Sequence, residues 1–362
     1  MILMKNRILE FFKRSQILVS AASLILALLI CGAVIIICGY SPLEAYGAML
    51  KGAFGSKYYF SQTLGTMIPL VFSGLAMLMA VKVGIFNIGI EGQMLVGSFA
   101  AAVAGRYITG LPKIIHLPLA LLAGAVIGGL WALIAAWLKN ALGINEVILT
   151  IMLNYVAQYI VSYLVSYPFH AEGNVVRTED IQPTASMTTM VAHTRLYTGI
   201  FLAVAATALI WLMLRYTRFG YELRAVGSNS SAAETAGINA KKYILAAMFL
   251  SGALAGLGGA GEVLGYWGYY IPTMTQGYGF DGIAIATMGR SQPLGTLISA
   301  FLFGALRNGA TGMNRSTSIP GELIEVLEGL VILFVSTPGI FRAARKIIRA
   351  RNERRPGNGI SA

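Results

Sequence analysis

Long apolar stretches separated by short polar segments dominate the hydrophobic pattern of this chain. The first stretch, residues 15–43, contains no charged residue and exceeds the roughly 20 residues that cross a bilayer as a helix. The later stretches predict about ten such crossings in an all-α polytopic membrane bundle, organised as one membrane domain over residues 1–362. Two of the longer interruptions, residues 170–195 and 215–242, are predicted to be loops on opposite sides of the membrane.

Polar residues and glycines interrupt one of these apolar stretches in its middle. Residues 83–97 place Asn87, Glu91 and Gln93 at membrane depth, among four glycines. An ionised glutamate there costs about 2.5–3.5 kcal/mol, so it must face protein or water. Because a broken helix is tolerated where it is buried in protein or lines a cavity, we predict a discontinuous helix beside a polar path. The alternative is a tightly packed helix whose glycines make helix contacts.

A second glycine-interrupted segment, residues 279–289, repeats part of this pattern and contains Asp281. The shared pattern is short: a phenylalanine, an acid or amide, and then glycine and isoleucine. Paired broken segments in two halves of a chain point to a transport site at the repeat interface. The two segments are therefore predicted to belong to one site.

A ridge of polar residues runs along one predicted helix between residues 146 and 166. Its members recur every four positions and so share one helix face: Glu146, Thr150, Asn154, Gln158, Ser162 and Ser166. A ridge that crosses the bilayer fits a water-filled path, and the same residues also fit hydrogen bonds between helices. The sequence leaves both interpretations open.

A short helix is predicted inside the basic loop at residues 215–242. Ser228, Asn229 or Ser230 can cap its start, and Gly237 can end it. The helix would run through Ala232, Ala233 and Glu234.

Composition and charge place the chain in a membrane. Its mean hydropathy is +0.70, with 56% hydrophobic and 12% charged residues, which leaves too little polar surface for a soluble globule of this size. The net charge is +12, but the basic residues lie between apolar stretches and near both ends, so anionic lipids are the expected partner rather than nucleic acid. Positive charge concentrates on the side that holds both ends. Residues 1–16 and the basic tail 342–362 are therefore predicted to be cytoplasmic, together with the 215–242 loop.

Neither a nucleotide-binding motif nor the placement of the histidines indicates an enzyme. No Gly-x-x-x-x-Gly-Lys-Ser/Thr segment occurs, so the chain has no ATPase motif of that kind. Its three histidines, His116, His170 and His193, fall in predicted external loops, which argues against a membrane metal site. We predict a transporter rather than an enzyme, with no cofactor and no metal.

Three segments, residues 87–97, 145–154 and 279–286, resemble hallmark segments of the ribose-type permeases of ABC importers, most of all the nucleoside branch served by basic-membrane-protein-type lipoproteins. The resemblance covers nearly the whole chain. It implies a permease subunit in a bacterial cell membrane that works with a cytoplasmic ABC ATPase, a second permease subunit and an external substrate-binding lipoprotein. It also implies that the 224–237 segment carries the helix that couples to the ATPase. The residues expected to couple are Arg224, Gly227, Ala232, Ala233, Glu234, Thr235 and Gly237.

Under that resemblance the substrate is a nucleoside and the mechanism is alternating access. A neutral ribose and base require hydrogen bonds and aromatic faces rather than charge, and the residues expected along the passage are Asn87, Glu91, Gln93, Asn154, Gln158 and Asp281. Glu91 and Asp281 could instead hold the broken helices in place. The alternatives are an ABC permease for a simple sugar such as ribose, an ion-coupled secondary transporter working alone, and a structural membrane scaffold.

Overall fold

The structure is a computed structural model that describes residues 16–275, 277–317, 319–320, 323, 326, 329–330 and 333, with the backbone alone for residues 16–24. Its regular secondary structure over these residues is helical, and one isolated bridge joins Thr189 to Tyr197. The chain divides into two compact units, Tyr46–Ser316 and a unit made of Met1–Ala45 with Thr317–Ala362. The contacts described below lie within Tyr46–Ser316.

Most of the helices follow one another through short connections, and the longest connection is residues 167–198. In chain order they are α1 (Gln16–Ile37), α2 (Pro42–Phe54), α3 (Lys57–Lys82), α4 (Ile90–Tyr107), α5 (Lys113–Leu142), α6 (Glu146–Ser166), α7 (Gly199–Tyr216), α8 (Arg218–Ser228), α9 (Ser230–Thr235), α10 (Ala240–Glu262), α11 (Tyr278–Met288) and α12 (Pro293–Ser316). A π-helical turn, Val263–Trp267, continues α10.

Five helices in the described part of the chain are long and apolar enough to cross a membrane. They are α3, α5, α6, α7 and α10 with its π-helical turn. The prediction of an all-helical membrane bundle is therefore confirmed. The predicted last span, residues 320–338, falls almost entirely outside the described residues, as do the tail 342–362 and nearly all of residues 1–16.

Glycines bring α4, α5 and α10 together at the centre of the bundle. A Cβ atom on Gly256 of α10 would lie 2.2 Å from the carbonyl oxygen of Gly124 in α5, and one on Gly97 of α4 would lie 2.4 Å from the Cα of Gly256. Such contacts allow membrane helices to approach backbone to backbone, where dispersion forces are strongest. The close packing that small residues predict is present here.

The glycine-interrupted segment 83–97 is helical only from Ile90 onward, and residues 83–89 form a break between α3 and α4. Helix α3 ends at Lys82, helix α4 begins at Ile90, and the residues between them are not helical. Gly84 has a φ of +83°, a left-handed conformation that glycine adopts without steric cost. Within the break Val83, Ile85, Asn87 and Gly89 are buried, whereas Gly84 and Phe86 are exposed.

One sequence assignment was wrong. His116 was placed in an external loop, but it lies near the start of α5 and is fully buried. Its ring nitrogens lie 2.7 Å from Thr184 Oγ1 and 3.2 Å from the carbonyl oxygen of Ala104. Pro112 and Pro118 suggested a loop, yet Pro112 immediately precedes α5 and Pro118 stands in its second turn, where it lacks the N–H that would bond the carbonyl one turn earlier.

Candidate functional site

The break between α3 and α4 is held by a network of amide side chains. Asn87 Nδ2 donates to Gln93 Oε1 at 3.0 Å and to Ser251 Oγ at 2.9 Å, while Gln93 Nε2 donates to Asn87 Oδ1 at 3.1 Å. Ser251 lies in α10 and donates in turn to the carbonyl oxygen of Ala76 in α3 at 2.7 Å. All three side chains are buried. This network ties the break to two neighbouring helices.

Helix α6 completes the network by capping α4 from outside. Helix α4 begins after Gly89, which has no side chain to cap it. Asn154 Oδ1 accepts the backbone N–H of Gly92 at 2.8 Å, and Asn154 Nδ2 donates to the carbonyl oxygen of Ile88 at 2.9 Å. The first N–H groups of a helix need such acceptors. One amide on a separate helix therefore satisfies two backbone groups where the break meets α4.

Glu91 joins the two glycine-interrupted segments. Its Oε2 accepts the backbone N–H of Gly279 at 2.7 Å, and its Oε1 accepts that of Gly277 at 3.2 Å. These groups lie at the start of α11, where the helix dipole favours a carboxylate. The segments that share a sequence pattern thus meet in the structure, and Glu91 links them.

Two ion pairs lie close to this junction, and sequence reasoning missed three of their four members. Arg307 Nη1 is 2.9 Å from Asp281 Oδ2, and Arg195 Nη2 is 2.7 Å from Glu262 Oε2. Only 1% of the Glu262 side chain is exposed. Glu262 is an acid within an apolar stretch, so the cost argument applied to Glu91 could have found it. No comparable pattern pointed to Arg195, because it is the last residue of the predicted polar loop 170–195, where a charged residue is expected.

Both arginines of these pairs line one cavity of about 190 Å³, here called the Arg195 cavity. Its lining includes four tyrosines and three arginines: Tyr58, Tyr59, Tyr266, Tyr278, Arg195, Arg307 and Arg315. The guanidinium of Arg195 stacks 4.3 Å from the Tyr266 ring, and that of Arg307 stacks 4.4 Å from the Tyr278 ring. Sites for drug-sized ligands usually occupy about 300–1,000 Å³. The cavity is therefore smaller than such a site within one chain.

A stripe of exposed tyrosines follows the outer face of α6. Its members recur every four residues and are 54–72% exposed: Tyr155, Tyr159, Tyr163 and Tyr167. Gln158 is exposed beside them. The stripe is about 18 Å long at 1.5 Å per residue, longer than the interfacial layer in which membrane tyrosines concentrate.

The 215–242 segment contains two helices where one was predicted. Helix α9 begins after Asn229, whose side chain accepts the backbone N–H of Ala232 at 3.0 Å, and Gly237 follows it with a φ of +81°. The predicted cap and stop are thus present. Helix α8 was not predicted. Its Glu222 accepts hydrogen bonds from Arg218 and from the Tyr243 hydroxyl of α10, and the bond from Tyr243 holds the pKa of Glu222 below its usual value.

The 215–242 segment touches the break directly. A Cβ atom on Gly227, in α8, would lie 2.1 Å from the carbonyl oxygen of Lys82, and one on Gly84 would lie 3.5 Å from the Cα of Gly227. Helix α8 therefore packs its backbone against the end of α3 and the first turn of the break.

We expect Gly227→Val to reduce transport at least tenfold, because the added side chain would push α8 away from the end of α3. Uptake by the assembled transporter measures this effect. Ser228→Ala is the matched control, since Ser228 is exposed and immediately adjacent, and it should transport normally. Equal uptake by both variants would mean that the contact between Gly227 and Lys82 does not matter for transport.

The six predicted passage residues thus occupy different environments. Asn87, Gln93 and Asn154 are buried and hydrogen-bonded, while Gln158 is exposed. Glu91 accepts hydrogen bonds from the backbone at the start of α11, and Asp281, in the first turn of α11, accepts one from Arg307. The described residues bring five of the six to one junction and leave Gln158 on an outer face.

A bundle of apolar helices with buried polar side chains at a break between two of them is typical of a membrane transport protein. Residues 59–336 match the family described as the permease component of branched-chain amino acid transport systems. The chain belongs to this family of multi-pass cell-membrane permeases, and it is a transporter component rather than an enzyme. The family resemblance read from the three sequence motifs is confirmed.

Several relatives match over nearly their whole lengths. The guanosine ABC transporter permease NupP of Bacillus subtilis is 38% identical over 329 residues, which cover 89% of this chain and 94% of NupP. The nucleoside ABC transporter permease NupB of Lactococcus lactis is 32% identical and covers 90% of this chain and 92% of NupB. The glucose ABC transporter permease TsgB13 of Haloferax volcanii is also 32% identical, over 88% of this chain and 87% of TsgB13. No solved structure gives a significant match.

Proposed function

We propose that this chain is a permease subunit of an ABC importer for nucleosides. The observation that carries the proposal is the 38% identity, over almost the full length of both chains, to a permease named for guanosine. The tyrosine stripe of α6 adds physical support, because aromatic faces stack on a nucleobase and a neutral nucleoside needs no charged partner. A permease for a simple sugar is the second candidate, favoured by the relative named for glucose.

The passage proposed here runs between two permease subunits rather than through one chain. The Arg195 cavity, at about 190 Å³, is smaller than a usual ligand site, whereas the tyrosine stripe and Gln158 are exposed on an outer face. A second subunit facing α6 would enclose that stripe. Asn87, Gln93 and Asn154 would then shape the wall of the passage through the break, and Gln158 would contact the substrate.

The proposed topology has about ten crossings, with both termini and the 215–242 segment in the cytoplasm. Under this topology α9 faces the ATPase. Ala232, Glu234, Thr235 and Gly237 are exposed around it, Ala233 is buried beneath it, and Arg224 is exposed on α8. The external side would then receive the substrate-binding lipoprotein.

Alternating access would use the contact between α8 and the break. Closure of the ATPases would move α9 and α8 together, and Gly227 would pass the displacement to Lys82 and to the amide network beyond it. Glu91 would transmit the displacement from the amide network to α11 through its hydrogen bonds with Gly277 and Gly279. Packed elements with two discrete arrangements can transmit such changes.

The decisive experiment co-expresses the chain with its ATPase, partner permease and lipoprotein, and measures uptake of radiolabelled guanosine. We expect unlabelled nucleosides to compete and glucose or ribose not to compete. Competition by a sugar alone would favour the second candidate. Transport by the purified chain in liposomes under an ion gradient, with no ATPase present, would instead support a lone secondary transporter.

Glu234→Lys and Ala232→Trp test the coupling role of α9. Both residues are exposed, so neither change should unfold the chain. We expect uptake and ATPase co-purification to fall at least tenfold, because the changes reverse a charge or add bulk at the docking face. Glu172→Lys, the same charge reversal on the exposed 170–195 loop, should leave ATPase co-purification unchanged. If Glu234→Lys and Ala232→Trp both retain normal values, α9 does not couple.

A further inference from the structure

A second cavity, here called the Lys82 cavity, gathers positive charge at the ends of two membrane helices. Its volume is about 330 Å³, and Lys82, Arg215 and Arg224 all line it. Lys82 ends α3 and Arg215 lies one residue from the end of α7. The cavity therefore lies at the depth where membrane helices meet the lipid headgroups.

In the part of the chain that the structure describes, the three cations have no acidic counterpart. Among the described residues no carboxylate lies within 4.0 Å of Lys82, Arg215 or Arg224. Arg224 Nε donates to the carbonyl oxygen of Gly220 at 3.1 Å, which leaves its terminal nitrogens available. The like charges of these three side chains repel one another across the cavity that they line. An anion bound among them would relieve this repulsion.

Apart from Ser291 and Gln292, the remaining lining is apolar, and part of it is exposed on an apolar surface. Trp211, Leu214, Pro293 and Leu294 complete much of the wall. Leu294 is 55% exposed, and Ile298, one turn further along α12, is 70% exposed. An occupant of this cavity thus meets positive charge at one end and a membrane-facing apolar surface at the other.

We propose that the Lys82 cavity binds an anionic phospholipid, with its phosphate among the three cations and its acyl chains along α7 and α12. Basic pockets between membrane helices recognise anionic headgroups in this way. Ser291 and Gln292 on the rim provide hydrogen-bonding groups for a glycerol headgroup. Because Arg224 belongs to α8, a bound lipid would also fix the helix that contacts the break.

The test titrates phosphatidylglycerol against the purified full-length chain in neutral detergent, with bound lipid counted by native mass spectrometry. Arg215→Gln combined with Arg224→Gln should weaken binding about 30-fold, since each cation near a lipid surface contributes a factor of about five. Lys241→Gln combined with Lys242→Gln is the matched control. It removes the same charge from exposed positions of the same loop and should change binding less than twofold.

Two further measurements distinguish a phospholipid from a soluble phosphate compound as the ligand of the Lys82 cavity. Phosphatidylcholine should bind at least tenfold more weakly than phosphatidylglycerol, and soluble glycerol phosphate should not displace the lipid. Arg215→Lys, which retains the charge, should bind as the parent chain does. Three results would overturn the assignment. They are an equal loss of lipid affinity in the two double variants, equal affinity for the two lipids, and displacement of the lipid by glycerol phosphate. If the Arg215 and Arg224 double variant binds phosphatidylglycerol as tightly as the parent chain does, the Lys82 cavity is not the lipid site. Its positive charge would then serve another anion, such as an acidic side chain of the ATPase.

Discussion

Replacing Arg195 by methionine is expected to lower the free energy of unfolding by about 3–5 kcal/mol, because the change leaves the carboxylate of Glu262 buried without its partner. That side chain is only 1% exposed and lies 2.7 Å from the arginine. The melting temperature of the purified chain in detergent measures the effect. Replacing both residues by methionine should recover most of the loss, since a buried pair can be exchanged for apolar side chains at little cost.

Arg177 supplies a closely matched control. It pairs with Asp180 at 2.9 Å and stacks 4.5 Å from the Tyr269 ring, just as Arg195 stacks on Tyr266. The Asp180 side chain, however, is 68% exposed. Arg177→Met should therefore cost no more than about 1 kcal/mol. Equal losses in the two arginine variants would show that burial of Glu262 does not set the strength of this contact.

Asn154→Leu is expected to have the second large effect, a loss of about 2–5 kcal/mol together with loss of uptake. The change leaves the N–H of Gly92 and the carbonyl of Ile88 without their partner, and each unsatisfied buried group costs about 1–3 kcal/mol. Melting temperature and uptake are measured on the same preparation. A stable variant with normal uptake would mean that α4 needs no cap from α6.

Gln158→Leu is the control one helical turn away on the same ridge. Gln158 is exposed and makes no side-chain hydrogen bond to the described residues, so its loss should change stability by no more than about 0.5 kcal/mol. If Gln158 lines the proposed passage, uptake falls while stability is retained. Normal uptake would assign the ridge to helix contacts rather than to the passage.

The polar ridge of α6 shows why one pattern can have two outcomes. The four-residue spacing shows that the six polar residues share one helix face. It does not show which neighbouring elements that face contacts. Thr150 and Asn154 meet the break, whereas Glu146 pairs with Lys139 at 2.6 Å. The position of the neighbouring elements, not the spacing, decided which residues became structural. The interpretation as helix contacts therefore gains support for the first half of the ridge.

The sequence by itself determined the features that depend on nearby residues and on the solvent. Apolar stretches of membrane length, the glycine-rich break before α4 and the capped helix α9 follow from hydropathy, backbone freedom and local hydrogen bonds. The tertiary structure alone decided the pairing of Arg195 with Glu262, the capping of α4 by Asn154 and the contact of Gly227 with Lys82. Those partners lie 62 to 145 positions apart in the chain, so only the packing of whole helices brings them within bonding distance.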